Sequence, residues 1–317
     1  MDSRKIFNIL KEKKTSEQPY EVFPVDDSCY FGKDHDNNVV FMIPSRLVRV
    51  APVYQETNSL QFAFNKKCKF QNGELIEEKI VHLLTCKEKD EEKIMAFIRL
   101  TKAFAQNEQD NDQYYLAKLF SSISALFDRE RKVSKQELQG LFAELYAILH
   151  LNQKSCDISG FWQSRNMMKF DFSINEKKRL EVKSTLKPDR THHFKHDQLL
   201  SELYDIRIIS FMLRESDYGI SLEELVEKIR DMYADNFALL IHVENLVSHV
   251  NKDALNIMYD EIYLKNNLKY YDAKEIPHFN EKTPDGVFNA EYDCCLDTSS
   301  ALSEEDVIKW IKEEVNV

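Results

Sequence analysis

Two acids and an amine stand close together near the middle of the chain. Asp171 lies in Lys169-Phe170-Asp171-Phe172-Ser173-Ile174, and nine residues separate it from Glu181 in Arg179-Leu180-Glu181-Val182-Lys183-Ser184. Carboxylates are hard oxygen ligands of the kind Mg2+ prefers, and the main-chain carbonyl of Val182 offers a further oxygen. An ammonium two residues after Glu181 leaves the same side of a strand, where it can orient a water or offset developing negative charge. Together they are the equipment for metal-assisted attack on a phosphodiester, in which the ion must hold both the water and the phosphate.

Alternation is what would bring the three groups together. Phe170, Phe172 and Ile174 share one face of the first segment and Leu180 and Val182 one face of the second. If the two pair as a hairpin across Asn175-Glu176-Lys177-Lys178, burying both apolar faces turns Asp171, Glu181 and Lys183 to the opposite face. The Glu-x-Lys triplet alone is weakly specific, because 31% of the chain is charged and such triplets are common on solvated strands. Its place in a strand pair, after an acid-bearing helix, raises its significance.

That helix opens with Ser134 as N-cap and Glu137 as the matching acid of a capping box. Its apolar stripe is Leu138, Leu141, Phe142, Leu145, Ile148 and Leu149, and Glu144 lies on the stripe's flank, one turn beyond Gly140. An acid there can point into a cleft as an outer ligand or the holder of a second metal. The absent side chain of Gly140 leaves room for another segment to approach.

The surrounding chain reads as mixed α/β. A short charged helix is expected to about residue 18, then strands between 20 and 86, including Val39–Ile43 before Pro44 and the alternating Leu60–Phe64. Helices are expected over about 89–106 and 112–128, and the charged run Asp128-Arg129-Glu130-Arg131-Lys132 makes a natural boundary. Ile206–Leu213 reads as a buried strand, Ser221 with Glu224 as a second capping box, and Ser303 to about Val315 as a last amphipathic helix. The expected division is a β-rich module with two helices over 1–130, a core over 131–248 and a small α/β module over 249–317.

Composition narrows the classes. No apolar run approaches the roughly 20 residues a membrane-spanning helix needs, and Met1-Asp2-Ser3-Arg4-Lys5 does not open a secretory signal, so a cytoplasmic protein is expected. Six cysteines without a C-x-x-C pair argue against a disulfide framework or a structural zinc site. Six glycines, none closer than twenty positions to the next, exclude phosphate-binding and dinucleotide-binding glycine loops. A net charge of -11 argues against tight, independent, non-specific binding to a polyanion, although a cleft can be locally positive.

The segment around Glu181 is the best candidate for phosphate contacts, with Lys177, Lys178, Arg179, Lys187, Arg190, His193 and Lys195. A solvated hairpin and loop would look the same. His192 and His196 have a spacing that could bind zinc or nickel, but no cysteine or acid completes the set.

The stretch Gly140-Leu141-Phe142-Ala143-Glu144-Leu145, then Trp162, Asp171-Phe172, Glu181-Val182-Lys183-Ser184-Thr185, Gln198-Leu199 and the segment from Gly219 to Arg230 resembles the bacterial PD-(D/E)XK motif protein family. The likeness covers most of the chain. It implies a restriction-endonuclease-like α/β (α+β) core, a mixed central sheet flanked by helices, carrying the β-rich N-terminal and small C-terminal modules. It further implies an endodeoxyribonuclease dependent on Mg2+, or on Mn2+ in its place, of the kind encoded beside phage-defence and restriction genes. Glu144, Asp171, Glu181 and the Val182 carbonyl would hold metal, Lys183 would be the catalytic lysine, and Gln198 an accessory residue. Phe170 stands where the family's name has proline, and Ala143 where glycine is frequent; neither change removes a ligand. DNA is the expected partner, along with defence proteins such as a methyltransferase, helicase or ATPase, and a homodimer would allow both strands to be cut. A non-catalytic nuclease-like subunit that recognises DNA or docks partners is the competing reading, and RNA cannot be told from DNA at this level.

Overall fold

The computed structural model describes residues 1–13, 20–25, 29–45, 53–72, 75–106, 113–128, 133–162, 170–200, 203–247, 250–287 and 290–313. The charged run at 129–132, Lys169 and the stretch beyond residue 313 that the sequence reading assigns to the last helix lie outside the described residues. In chain order the elements are α1 (Ser3–Glu12), β1 (Tyr20–Pro24), β2 (Tyr30–Lys33), β3 (Val39–Pro44), β4 (Val53–Glu56), β5 (Leu60–Asn72), β6 (Leu75–Cys86), α2 (Glu91–Gln106) and α3 (Gln113–Asp128). There follow α4 (Lys135–Gln153), β7 (Phe172–Ser173), β8 (Lys178–Thr185), β9 (Thr191–Lys195), α5 (His196–Leu199), β10 (Asp205–Met212), β11 (Glu215–Ser221), α6 (Leu222–Met232) and α7 (Phe237–Val247). The last are α8 (Lys252–Leu255), β12 (Met258–Tyr259), α9 (Glu261–Asn266), β13 (Lys269–Asp272), β14 (Glu291–Cys295) and α10 (Glu304–Lys312).

Packing divides the chain into two units, Met1–Lys132 with Arg230–His249, and Val133–Ile229 with Val250–Val317. Residues 250–317 therefore share a unit with 133–229, because β13 pairs with β10 and β14 with β9.

In the first unit, β1, β2, β3, β6, β5 and β4 form one sheet in that order, and a second, parallel pairing of β1 with β5 closes five strands on themselves. Gly32 is required where β2 packs on β1, since a Cβ there would lie 2.3 Å from the Glu21 carbonyl oxygen. One sheet face buries Val22, Val40, Met42, Ala63, Val81 and Leu83. The other buries Phe31, Phe41, Phe62, Phe64 and Leu84 among α1, α2 and α3. The apolar run Phe237–Ile241 is part of α7, whose Glu244 is buried between Arg99 (3.1 Å) and Arg230 (2.9 Å). Burial alone would raise this carboxyl's pKa, yet the two guanidiniums hold it below the usual carboxylate range.

The second unit is built on a mixed sheet in the order β13-β10-β8-β7. β8 and β10 are parallel, with Glu181 opposite Ile208 and Lys183 opposite Ser210, while β7 runs antiparallel to β8 and spans only two residues. α4 starts with both halves of the expected capping box, Glu137 N–H to Ser134 Oγ and Ser134 N–H to Glu137 Oε2, and α6 repeats the arrangement with Ser221 and Glu224. α4 lies on the sheet face of Leu180, Val182 and Ser184: Gln139 donates to Ser184 Oγ at 3.0 Å, and Tyr146 meets Phe211 edge to face at 5.7 Å. Phe194, Leu199, Ile206, Ile208 and Tyr271 cluster on the opposite face, which is also the face of Glu181 and Lys183. Both faces are thus covered. The charged side of β8 is an interior one.

Candidate active site

The hairpin of β7 and β8 aligns Phe172 with Leu180 and Ser173 with Arg179, so continued pairing would set Asp171 opposite Glu181. Instead β7 ends, and Asp171 Oδ2 accepts the main-chain N–H of Val182 at 2.7 Å. In an extended strand a residue's N–H and C=O leave toward the same edge, so the Val182 carbonyl also points to the edge that Asp171 occupies.

Glu181 is buried, and one of its oxygens, Oε1, is engaged twice. Lys183 Nζ lies 2.8 Å from it, and Gln198 Nε2 donates to it at 2.6 Å. Lys183 also donates to Gln198 Oε1 at 3.2 Å, an oxygen that accepts the Lys195 main-chain N–H at 3.1 Å. Gln198 is thereby fixed at the first turn of α5 and holds acid and amine at once. The Lys183 ammonium also sits 5.1 Å from the centre of the Phe194 ring. The second oxygen of Glu181, Oε2, is buried and has no hydrogen-bond partner among the described residues.

Glu144 reaches the same cluster from α4, its Oε2 accepting the Trp162 indole N–H at 2.6 Å. Gly140 does not admit a neighbouring segment: the Glu144 carboxylate oxygen, 4.0 Å from where a Cβ would be, is the one described contact there. Burial raises the Glu144 pKa to about 7, with the Trp162 hydrogen bond opposing the rise and the charge of Glu181 adding to it. Asp171 is pushed well above its ordinary value by burial, then by Glu181 and Glu144. Burial disfavours charge on Lys183, but the attraction of Glu181, Asp171 and Glu144 outweighs it and holds the amine above its ordinary value.

These features fit a hard divalent cation. The carboxylates repel one another in a desolvated place, one oxygen of Glu181 has no partner among the described residues, and the available donors are all oxygens. Among the described residues no three His, Cys, Asp or Glu side chains stand as a finished cage. Trp162 engages one oxygen of Glu144, and Lys183 and Gln198 engage one oxygen of Glu181; the oxygens that could hold a cation beside Asp171 are therefore those of Glu181, Glu144 and the Val182 carbonyl.

The basic residues separate. Lys178 and Arg190 are corrected from phosphate contacts to interior cations: Lys178 donates to the carbonyls of Trp310 (2.6 Å) and Glu313 (2.9 Å), and Arg190, 1% exposed, donates to Ser210 and to the Asn267 carbonyl. Arg179 turns back on its own hairpin, donating to the Asn175, Lys178 and Glu176 carbonyls, and stacks on Tyr204. Lys187 and His193 are exposed but both meet Asp293. Lys177 and Lys195 are exposed. His192 and His196 form no metal pair, since His192 is bonded to Ser210 Oγ and His196 to the Glu281 carbonyl and the Tyr292 hydroxyl. Sequence reasoning gave Trp162 no role in the site, although it stands among the residues that carry the family resemblance.

The family model described as "Putative PD-(D/E)XK family member, (DUF4420)" matches residues 5–297, nearly the whole chain. The chain belongs to this family, and with it to a nuclease-like superfamily whose mixed α/β architecture agrees with the fold described above. No curated protein and no solved structure matches it. No described helix is long and apolar enough to cross a membrane.

Proposed function

We propose that the protein is a divalent-metal-dependent endonuclease acting on DNA, with Asp171, Glu181 and Lys183 as its catalytic residues. The observation that carries this reading is the convergence of Glu144, Asp171, Glu181 and Lys183 at the edge of β8 beyond the end of β7, with Glu181 Oε2 lacking a partner among the described residues. Asp171, Glu181 and the Val182 carbonyl would hold Mg2+ or Mn2+, with Glu144 as a further ligand. When bound, the cation would polarise the phosphate and make the attacking water more acidic. Lys183, fixed between Glu181 and Gln198, orients that water and offsets the charge that grows on the phosphate oxygens. Gln198 keeps the ammonium on this line, exposed Lys195 supplies a phosphate contact near it, and exposed Lys177 one farther off, just before the start of β8. We place the activity in the cytoplasm, within a restriction or anti-phage system whose methyltransferase, helicase or ATPase would deliver DNA, and we take a homodimer as the form that cuts both strands.

A second reading is favoured by one specific observation. Lys178, Arg179 and Arg190 are consumed by structural contacts, and the chain carries a net charge of -11, which leaves few cations for phosphate. A nuclease-like subunit that docks a DNA-bound partner would need no more. Incubation of the chain and of Lys183→Ala with plasmid, phage and unmethylated DNA, with Mg2+ or Mn2+ and neighbouring gene products, separates the two. Cleavage by the native chain alone supports the enzyme; identical behaviour of both proteins on every substrate, RNA included, refutes it.

A further inference from the structure

Trp162 touches both elements that bring acids to the site. Its main chain forms an antiparallel bridge with Phe172, the residue after Asp171, so it extends the sheet beyond β7. Its indole, 8% exposed, donates at 2.6 Å to Glu144 of α4. The turn before it is fixed by Ser159 N–H to Asp157 Oδ1 and by Trp162 N–H to the Ser159 carbonyl. Without the indole N–H, Glu144 Oε2 would lose the donor that offsets its desolvation next to two other acids.

Building on the metal-dependent reading above, we propose that Trp162 is a positioning residue for cation binding: its indole N–H aims the Glu144 carboxylate at the Asp171 and Glu181 pair. The group that fixes a ligand's direction is itself part of the ligand's function, because a flexible carboxylate must otherwise be ordered when the cation arrives. The same contact makes Trp162 a reporter. Drawing Glu144 toward a cation perturbs the hydrogen bond and the field at the indole, whereas Trp310, the second tryptophan, is bonded to Asp205 and clasped by Lys178 and Arg207.

The test is titration of the full chain with CaCl2 and MgCl2, followed in parallel by calorimetry and by tryptophan emission. The native protein should bind the cation with an emission change of the same midpoint. Trp162→Phe, which keeps a ring but loses the donor, should bind about tenfold more weakly or worse and show no emission change, while its circular dichroism matches the native protein. Equal affinity in Trp162→Phe, or native emission that stays flat while calorimetry records binding, overturns the proposal. A native protein that binds neither cation overturns the metal reading itself and the positioning role with it, a distinct result. Should Trp162→Phe fail to fold, Glu144→Gln decides: a persisting cation-induced emission change overturns the role, and its loss supports it.

Discussion

Asp171 Oδ2 accepts the Val182 N–H at 2.7 Å, in the place where a longer β7 would have put a main-chain carbonyl. A side chain has replaced a backbone partner at the sheet edge, and the replacement is an acid whose charged form is disfavoured by burial and by Glu181 and Glu144. The cluster is thus assembled at the expense of the metal-free fold.

Asp171→Asn should therefore gain stability and lose function. The amide oxygen can still accept from Val182, while the repulsion disappears. Without divalent cation, unfolding in urea should show a gain of about 1 kcal/mol or more. DNA cleavage should fall by about a hundredfold or more.

Lys183→Ala should harm both. Glu181 is buried, and removing its counter-ion leaves an uncompensated charge, a loss of about 3 kcal/mol. Adding Glu181→Gln should recover most of the unfolding free energy and none of the cleavage, so a double-mutant cycle on both quantities separates structure from chemistry.

Gln198 joins acid to amine, so Gln198→Ala should lower kcat about tenfold or more while cation affinity by calorimetry changes much less. Loss of cation binding in this variant would make Gln198 a ligand-organising residue instead.

The pH dependence of stability carries a signature of Glu144. Its folded pKa of about 7 lies above its ordinary value of 4.5, so the folded state binds the extra proton between these values. Stability from this group is full below about 4.5 and is lost as pH rises toward 7, by about 2 kcal/mol after allowance for its partial exposure. His192, held down to about 3 by burial, acts oppositely and loses its contribution as pH falls below 6.5. The measurement is the difference between native and Glu144→Gln unfolding free energies from pH 4.5 to 7.5 without cation. That difference should change by about 2 kcal/mol across the range, the native protein losing stability relative to the variant as pH rises while the His192 contribution is common to both, and the change should shrink when Mg2+ is added.

Arg190→Ala should destabilise by about 3 kcal/mol or more, because buried Ser210 and the half-buried Asn267 carbonyl lose their donor. Lys195→Ala should leave the unfolding midpoint in place and reduce the salt dependence of DNA binding by about one unit of slope. A reversed pattern, with Arg190→Ala stable and weak on DNA, would return Arg190 to the phosphate-binding set.

The sequence alone determined the local elements and singled out Asp171, Glu181 and Glu144 as the candidate acids. Period-two alternation gave the strand pair around Asp171 and Glu181, and the Ser134 and Ser221 capping boxes marked helix starts, because such signals depend on residues only a few positions apart. Only the tertiary structure decided that β7 stops at two residues, that Trp162 reaches Glu144, and that β14 returns to β9 with Asp293 against Lys187 and His193. It alone separated interior Arg190 from exposed Lys195, since a cation's burial is set by what distant segments bring against it: the Asn267 carbonyl lies 77 residues from Arg190. Spacing records what neighbours in the chain can do together. Partners far apart in the chain leave no periodic trace, so the site's wiring becomes visible only when the fold has closed around it.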